Sequence, residues 1–350
     1  MLANRQLPVV ESPEFPRALP PEYRIPDHAP SLQEARAYCE RLVRTHYENF
    51  AVATWFLPAR LRPHFASIYA YCRIADDLGD EVGDPAQSLA LLDEWEAELD
   101  VTYLSLVETP LRDVRQDVEQ LRPASPARNP AAPRHPVFVA LRETILACDI
   151  PRQPFADLLK AFRQDQRVTR YETFDDLLGY CRYSANPVGR LVLYACGYTD
   201  DQRQEFSDHT CTALQLANFW QDVTLDYAKG RIYLPLEELR RFGVTEDDIA
   251  RRRCSPQFVE MMRFQVERAR EWFNFGLPLI SRVDRELALD IELFSRGGQE
   301  ILRAIEGQGY DVLQGRPALS RGRKLRLLAS AWLGSRWRTA PPDRGLTTGG

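Results

Sequence analysis

Residues 61–82 read LRPHFASIYAYCRIADDLGDEV, a stretch that becomes acidic only in its last turns. Tyr69, Arg73, Asp76 and Asp80 are spaced 4, 3 and 4, which places them on one stripe of a helix. Ile68, Cys72 and Ile74 flank that stripe, so the helix is expected to be mostly buried. Stacked like charges repel by about 0.2–0.5 kcal/mol per pair, and uncompensated buried charge is far more expensive. The stripe must therefore line a cavity or meet cations. A lone DxxxD pair in a helix is more often plain surface charge.

The same helical texture extends outward in both directions. It is present in 31–47, 85–106 and 137–150, and again near 154–165, 174–196, 200–228, 255–274, 284–307 and 317–334. Strand-like alternation is confined to RIYLP at 231–235. The pattern predicts one all-α domain over about 31–334. Residues 1–30 carry seven prolines and read as an extended lead-in. RPASPARNPAAPRHP (122–136) reads as a connection between helices, and 335–350 as a disordered tail.

Composition excludes several classes. With 44% hydrophobic and 27% charged residues the chain is ordinary globular material. A net charge of -5 gives no nucleic-acid footprint. Seven scattered cysteines without a CxxC pair predict reduced thiols in a cytoplasmic protein rather than a zinc or disulfide framework. No apolar run is long enough to span a membrane. The 321–337 stretch, RGRKLRLLASAWLGSRW, fits an interfacial helix, and fits better a C-terminal helix packed on the core.

A second acidic stripe lies roughly 145 positions after the first. In QLANFWQDVTLDYAKGRIYLP (215–235), Gln215, Asn218, Asp222 and Asp226 are spaced 3, 4 and 4 among strongly apolar neighbours. Two such carboxylate pairs suit Mg²⁺, which prefers oxygen ligands and is commonly held by one or two carboxylates plus substrate phosphates. Arg73, Lys229 and Arg231 stand beside the stripes as candidate phosphate ligands. The residues alone reach diphosphate ionisation in an apolar helical cavity. They also leave open a helical lipid-binding scaffold.

YAYCRIADDLGD (69–80), YCRYSANPVG (180–189) and QLANFWQDVTLDYAKGRIYLP together resemble the squalene and phytoene synthases. That resemblance implies an isoprenoid synthase fold, a single helical domain around a central apolar cavity. It implies Mg²⁺, as a cluster of about three with diphosphate, on Asp76, Asp80, Asp222 and Asp226, with Asp77 auxiliary. Arg73, Lys229, Arg231, Gln215, Asn218 and Asn49 would bind substrate or diphosphate. Tyr69, Tyr180, Asn186, Tyr310 and His46 would line the reaction cavity or orient a reacting water. HYENF (46–50), SANPVGRLVL and NFWQDV look most like the bacterial hydroxysqualene synthases. That branch takes presqualene diphosphate to hydroxysqualene and needs no NADPH. Condensation of two farnesyl diphosphates to presqualene diphosphate or squalene, and phytoene synthesis, remain alternatives. Peripheral membrane contact and links to upstream and downstream squalene-pathway enzymes are further expectations of the resemblance. Gln221 stands where relatives often carry an arginine before the aspartate.

Overall fold

The computed structural model describes residues 23–45, 58–106 and 132–318. Residues 1–22, HYENF with His46 and Asn49, most of the proline-dense connection, the 321–337 stretch and the tail lie outside the described residues. Within them the protein is all-α. The first half supplies α1 (Leu32–Thr45), α2 (Arg62–Asp80), α3 (Pro85–Leu104), α4 (Pro136–Cys148) and α5 (Gln153–Asp165). The second half supplies α6 (Phe174–Ser184), α7 (Asn186–Ala195), α8 (Asp201–Gln221), α9 (Val223–Ala228), α10 (Leu236–Phe242), α11 (Glu246–Ala250), α12 (Pro256–Gly276) and α13 (Arg285–Gly307). A 3₁₀ turn, Leu277–Ser281, joins α12 to α13.

Local chemistry sets most of these boundaries. Asp84 caps α3 by accepting from the backbone N–H of Ala86 at 2.8 Å, with Pro85 in the first turn. Thr173 and Thr245 each form a reciprocal capping box, with Asp176 and Asp248, at the starts of α6 and α11. The short helices α10 and α11 carry no long apolar period, and the sequence expectation omitted them. Two expected helices are each broken. Residues 174–196 divide at Ala185, immediately before Asn186-Pro187, where proline has no N–H for the ladder. Residues 200–228 divide at Asp222, whose ψ of 15° leaves the helical region. RIYLP contributes an isolated parallel bridge, Ile232 to Arg170, rather than a strand.

Two apolar clusters fill the interior. Tyr71, Trp95, Phe138 and Phe155 centre the first, and Trp220, Phe258, Met261 and Phe273 the second. α5 serves both, giving Phe155, Leu158 and Leu159 to one and Ala161 to the other. α8, α12 and α13 approach closely because glycine stands at their crossings. A Cβ on Gly276 would meet the Thr210 side chain and lie 3.0 Å from the Thr210 N and 3.1 Å from the Phe206 O. Backbone atoms cannot move aside cheaply. Gly276→Ala is expected to lower unfolding free energy by about 1–3 kcal/mol in denaturant melts, as overpacking does. An unchanged midpoint would mean that α12 slides past α8.

Candidate active site

α2 ends in the first aspartate pair, and the α8–α9 junction carries the second. Asp76 and Asp80 lie in the last turns of α2. Asp222 is the residue at the helix break, and Asp226 follows in α9. The straight stripe expected through 215–226 is therefore bent at Asp222. The N–H of Asp226 still bonds the Asp222 carbonyl at 2.9 Å, and the N–H of Arg231 bonds the Asp226 carbonyl at 2.8 Å. These bonds fold the chain back, so that Lys229 and Arg231 reach the first pair. Lys229 Nζ lies 3.2 Å from Asp80 Oδ2 and Arg231 Nη2 2.9 Å from Asp80 Oδ1.

Electrostatics tie the two pairs into one site. Burial and then repulsion from Asp80 push the Asp76 carboxyl up to about 7. Burial, then Asp222 and also Asp80, push Asp226 up to about 7. Asp80 goes the other way: burial would raise it, but Arg231 and Lys229 outweigh that and hold it below the usual carboxylate range. The aspartates repel one another across the site, and Asp80 has taken Lys229 and Arg231.

Several expected residues hold structural posts. Asp77 is buried, bonded by Arg73 Nε at 3.1 Å and by the Tyr23 hydroxyl at 2.8 Å. Arg73 thus grips Asp77 more closely than Asp76, which is 3.7 Å away. Asn186 Oδ1 accepts from the Thr212 hydroxyl at 2.9 Å, pinning α7 to α8. Tyr310 has a left-handed φ of 66°, and its ring lies 5.3 Å beneath the Arg263 guanidinium, against the second core cluster. Gln215 is half-buried and Asn218 exposed on α8, while Tyr69 is half-buried one turn before Arg73.

Two residues at the site, Asp165 and Arg316, escaped the sequence reading. Tyr180 donates its hydroxyl to Asp165 Oδ2 at 2.9 Å, and Asp165 Oδ1 is buried with no hydrogen-bond partner among the described residues. Burial pushes the Asp165 carboxyl up to about 7, with Arg231 pulling it back. Around this pair stand Tyr171, Tyr233 and Phe219, the last two stacked at 3.9 Å. Asp165 ends α5 and has no acidic partner at helical spacing, so periodicity gives no signal. The second group is Arg316, whose guanidinium takes both oxygens of Asp222, Nη2 to Oδ2 at 3.0 Å. It also donates to Gln221 at 3.3 Å. A guanidinium stands beside Asp222 even though position 221 is glutamine.

An apolar cavity of about 180 Å³ lies between α2, α7, α8 and α13. On α2, Phe65 lines the cavity, and Tyr69, Arg73, Asp76 and Asp80 continue its stripe. On α8, Ser207, Cys211 and Leu214 line it, and Asn218 and Asp222 continue that stripe. On both helices the cavity-lining positions precede the aspartates along one stripe. Among the described residues no three His, Cys, Asp or Glu side chains converge on one point. A divalent ion would accordingly take one or two carboxylates and complete its shell with water and phosphate oxygens, which suits Mg²⁺. The donor set fits, since it is all carboxylate oxygen in a field of mutual repulsion that cations would relieve.

The all-α bundle that carries these two aspartate pairs has the isoprenoid synthase fold. The chain belongs to the squalene/phytoene synthase family, whose model matches residues 43–323. It is 32% identical to a hydroxysqualene synthase of Rhodopseudomonas palustris over 267 residues, 75% of this chain and 81% of that one. It is 28% identical to a phytoene synthase of Arthrospira platensis over 311 residues, 85% and 92% of the two chains. Among solved structures, squalene synthase HpnC from Alicyclobacillus acidocaldarius is 44% identical, with a TM-score of 0.69 over 80% of this chain and 95% of that one. Members of the family are isoprenoid synthases that act on isoprenoid diphosphates such as farnesyl diphosphate, generally with a divalent metal. No helix among the described residues is long and apolar enough to cross a membrane.

Proposed function

We propose that the protein is a hydroxysqualene synthase, converting presqualene diphosphate and water to hydroxysqualene and diphosphate. The observation that carries this reading is the continuity of the two acidic stripes with one apolar cavity. That arrangement receives a molecule with a diphosphate head and hydrocarbon tails. Divalent ions on Asp76, Asp80, Asp222 and Asp226 would supply positive charge to the departing diphosphate. Lys229 and Arg231, released from Asp80, turn to the remaining phosphate oxygens, and Arg73 stays anchored on Asp77 beside them. The apolar walls keep bulk water from the cyclopropylcarbinyl cation while its skeleton rearranges. Rings of Tyr180, Tyr233 and Phe219 flank the acidic end, where aromatic faces favour a cation by about 2 kcal/mol or more once desolvated.

The quench needs one water and a group to take its proton. The water oxygen forms the new C–O bond, its proton leaves to a carboxylate, and the cation's charge is cancelled. Asp165 supports this step: its Oδ1 is buried without a partner beside the acidic pole, and Tyr180 holds Oδ2. Tyr180 then acts by orienting Asp165, and Asn186 by fixing α7. Kinship with the hydroxysqualene synthase and with squalene synthase HpnC favours this product. A second reading, phytoene synthesis from two C20 diphosphates, is favoured by the length of the match to the Arthrospira enzyme.

Purified protein given presqualene diphosphate and Mg²⁺, without NADPH, is expected to release diphosphate and form hydroxysqualene. Activity only on geranylgeranyl diphosphate would replace this reading with the second. Metal-dependent binding of inorganic diphosphate, absent by calorimetry, would instead favour a non-catalytic lipid carrier.

A further inference from the structure

The chain ahead of α1 sends one side chain to the edge of the active site. Tyr23 lies in the proline-dense lead-in, a segment to which the sequence expectation gives no role. It is 6% exposed and packs in the first apolar cluster with residues of α1 and α2. A buried tyrosine hydroxyl needs a partner, and this one donates to Asp77 Oδ2 at 2.8 Å. Burial and then that bond push the phenol well above its ordinary value, so the hydroxyl keeps its proton and stays a donor.

Asp77 is the joint between Tyr23 and Arg73. The guanidinium meets the carboxylate as a fork, Nε to Oδ2 at 3.1 Å and Nη2 to Oδ1 at 2.5 Å. Nη1 is turned instead to Asp76, 3.7 Å from its Oδ2. α2 fixes where Asp77 stands, but not the plane of its carboxylate, because χ2 of aspartate is a broad torsion without sharp wells. A forked guanidinium follows that plane. The Tyr23 hydroxyl arrives from outside α2 and selects one orientation. Oδ2 accepts from both Tyr23 and Arg73, as its two lone pairs allow.

We propose that Tyr23 is a positioning residue for the diphosphate, acting through Asp77 to hold the Arg73 guanidinium with Nη1 toward the aspartate pair. The inference rests on the reading of Asp76 and Asp80 as part of a diphosphate site with Arg73 at its edge. Without the hydroxyl, the carboxylate and the guanidinium forked to it turn together, and binding must first order both. With it, Arg73 is pre-organised before the ligand arrives. The lead-in thereby becomes part of the site although it contacts no substrate.

The test is calorimetric binding of inorganic diphosphate with Mg²⁺ to the full-length chain. Tyr23→Phe keeps the ring and its packing, and is expected to weaken binding about tenfold, the scale of one hydrogen bond. In an Arg73→Gln background the same substitution is expected to change nothing further, because the group it acts through is gone. Arg73→Lys, which keeps a charge for Asp77 but no fork, is a second background with the same expectation. Ser31→Ala removes the hydroxyl that accepts from the Glu34 N–H at the start of α1. It is expected to lower the melting temperature and leave diphosphate affinity unchanged, separating positioning from loss of stability. Wild-type affinity in Tyr23→Phe, or an equal loss with and without Arg73, would overturn the proposal. Wild type binding no diphosphate is a different failure, because it removes the diphosphate reading itself.

Discussion

Asp222→Asn is expected to slow diphosphate release from presqualene diphosphate by at least about a thousandfold, the scale of losing charge stabilisation at a leaving group. Asp76→Asn is expected to do the same. Neither loss should come from unfolding. Asp76 and Asp226 are pushed up to about 7 by burial and by their acidic neighbours, so the ligand-free protein stores repulsion at this pole. Removing one carboxylate relieves it, and both variants should melt at or above the wild-type temperature. Asp77 gives the opposite pattern. Asp77→Asn weakens the bonds from Arg73 and Tyr23 to a buried acceptor, at about 1–3 kcal/mol of stability, with metal binding retained. Diphosphate release within tenfold of wild type in Asp222→Asn would sink the assignment of that pair, whereas a wild-type melt for Asp77→Asn would sink only its structural role.

The contrast between Asp76 and Asp77 shows what is legible in sequence. Asp76 and Asp80 share a face because local periodicity puts them there, and adjacent Asp77 points about 100° away, into the packing. Period alone separates the stripe from the structural acid. The same logic foresees the second stripe but not its bend. Asp222 leaves the helix in a tertiary setting where Arg316, distant in sequence, claims its carboxylate. Asp165 and Tyr180 meet only because α5 packs against α6, and no spacing encodes that. Asn186 falls in a family motif, but no spacing shows that Thr212 of α8 donates to its Oδ1. Periodic signals report faces, while partner choice between helices is decided by packing that spacing does not contain.

Asp290 is the extreme of that rule. In LALDIELF it reads as the polar face of an amphipathic helix, yet it is buried in the cavity lining. Burial alone pushes its carboxyl up to about 8. In the unfolded chain it titrates near an ordinary value of about 3.9. Between these limits the native protein holds a proton that the unfolded chain has lost. Stability therefore falls as pH rises, by about 1.4 kcal/mol per unit, with the full contribution present below about 4 and no further loss above about 8. The titratable groups nearby are thiols, Cys196 and Cys211, both raised to about 12 and neutral throughout this range. They leave the slope unaltered. Asp290→Asn removes the titration, so its advantage over wild type should be small near pH 4 and reach about 2–4 kcal/mol at pH 7. Denaturant unfolding of both proteins from pH 4.5 to 8.5 measures the difference directly. Parallel curves would mean that the wild-type carboxylate stays ionised in the fold. A gap that widens with pH and levels off near 8 would show a neutral carboxyl in the cavity wall, held there at the expense of stability.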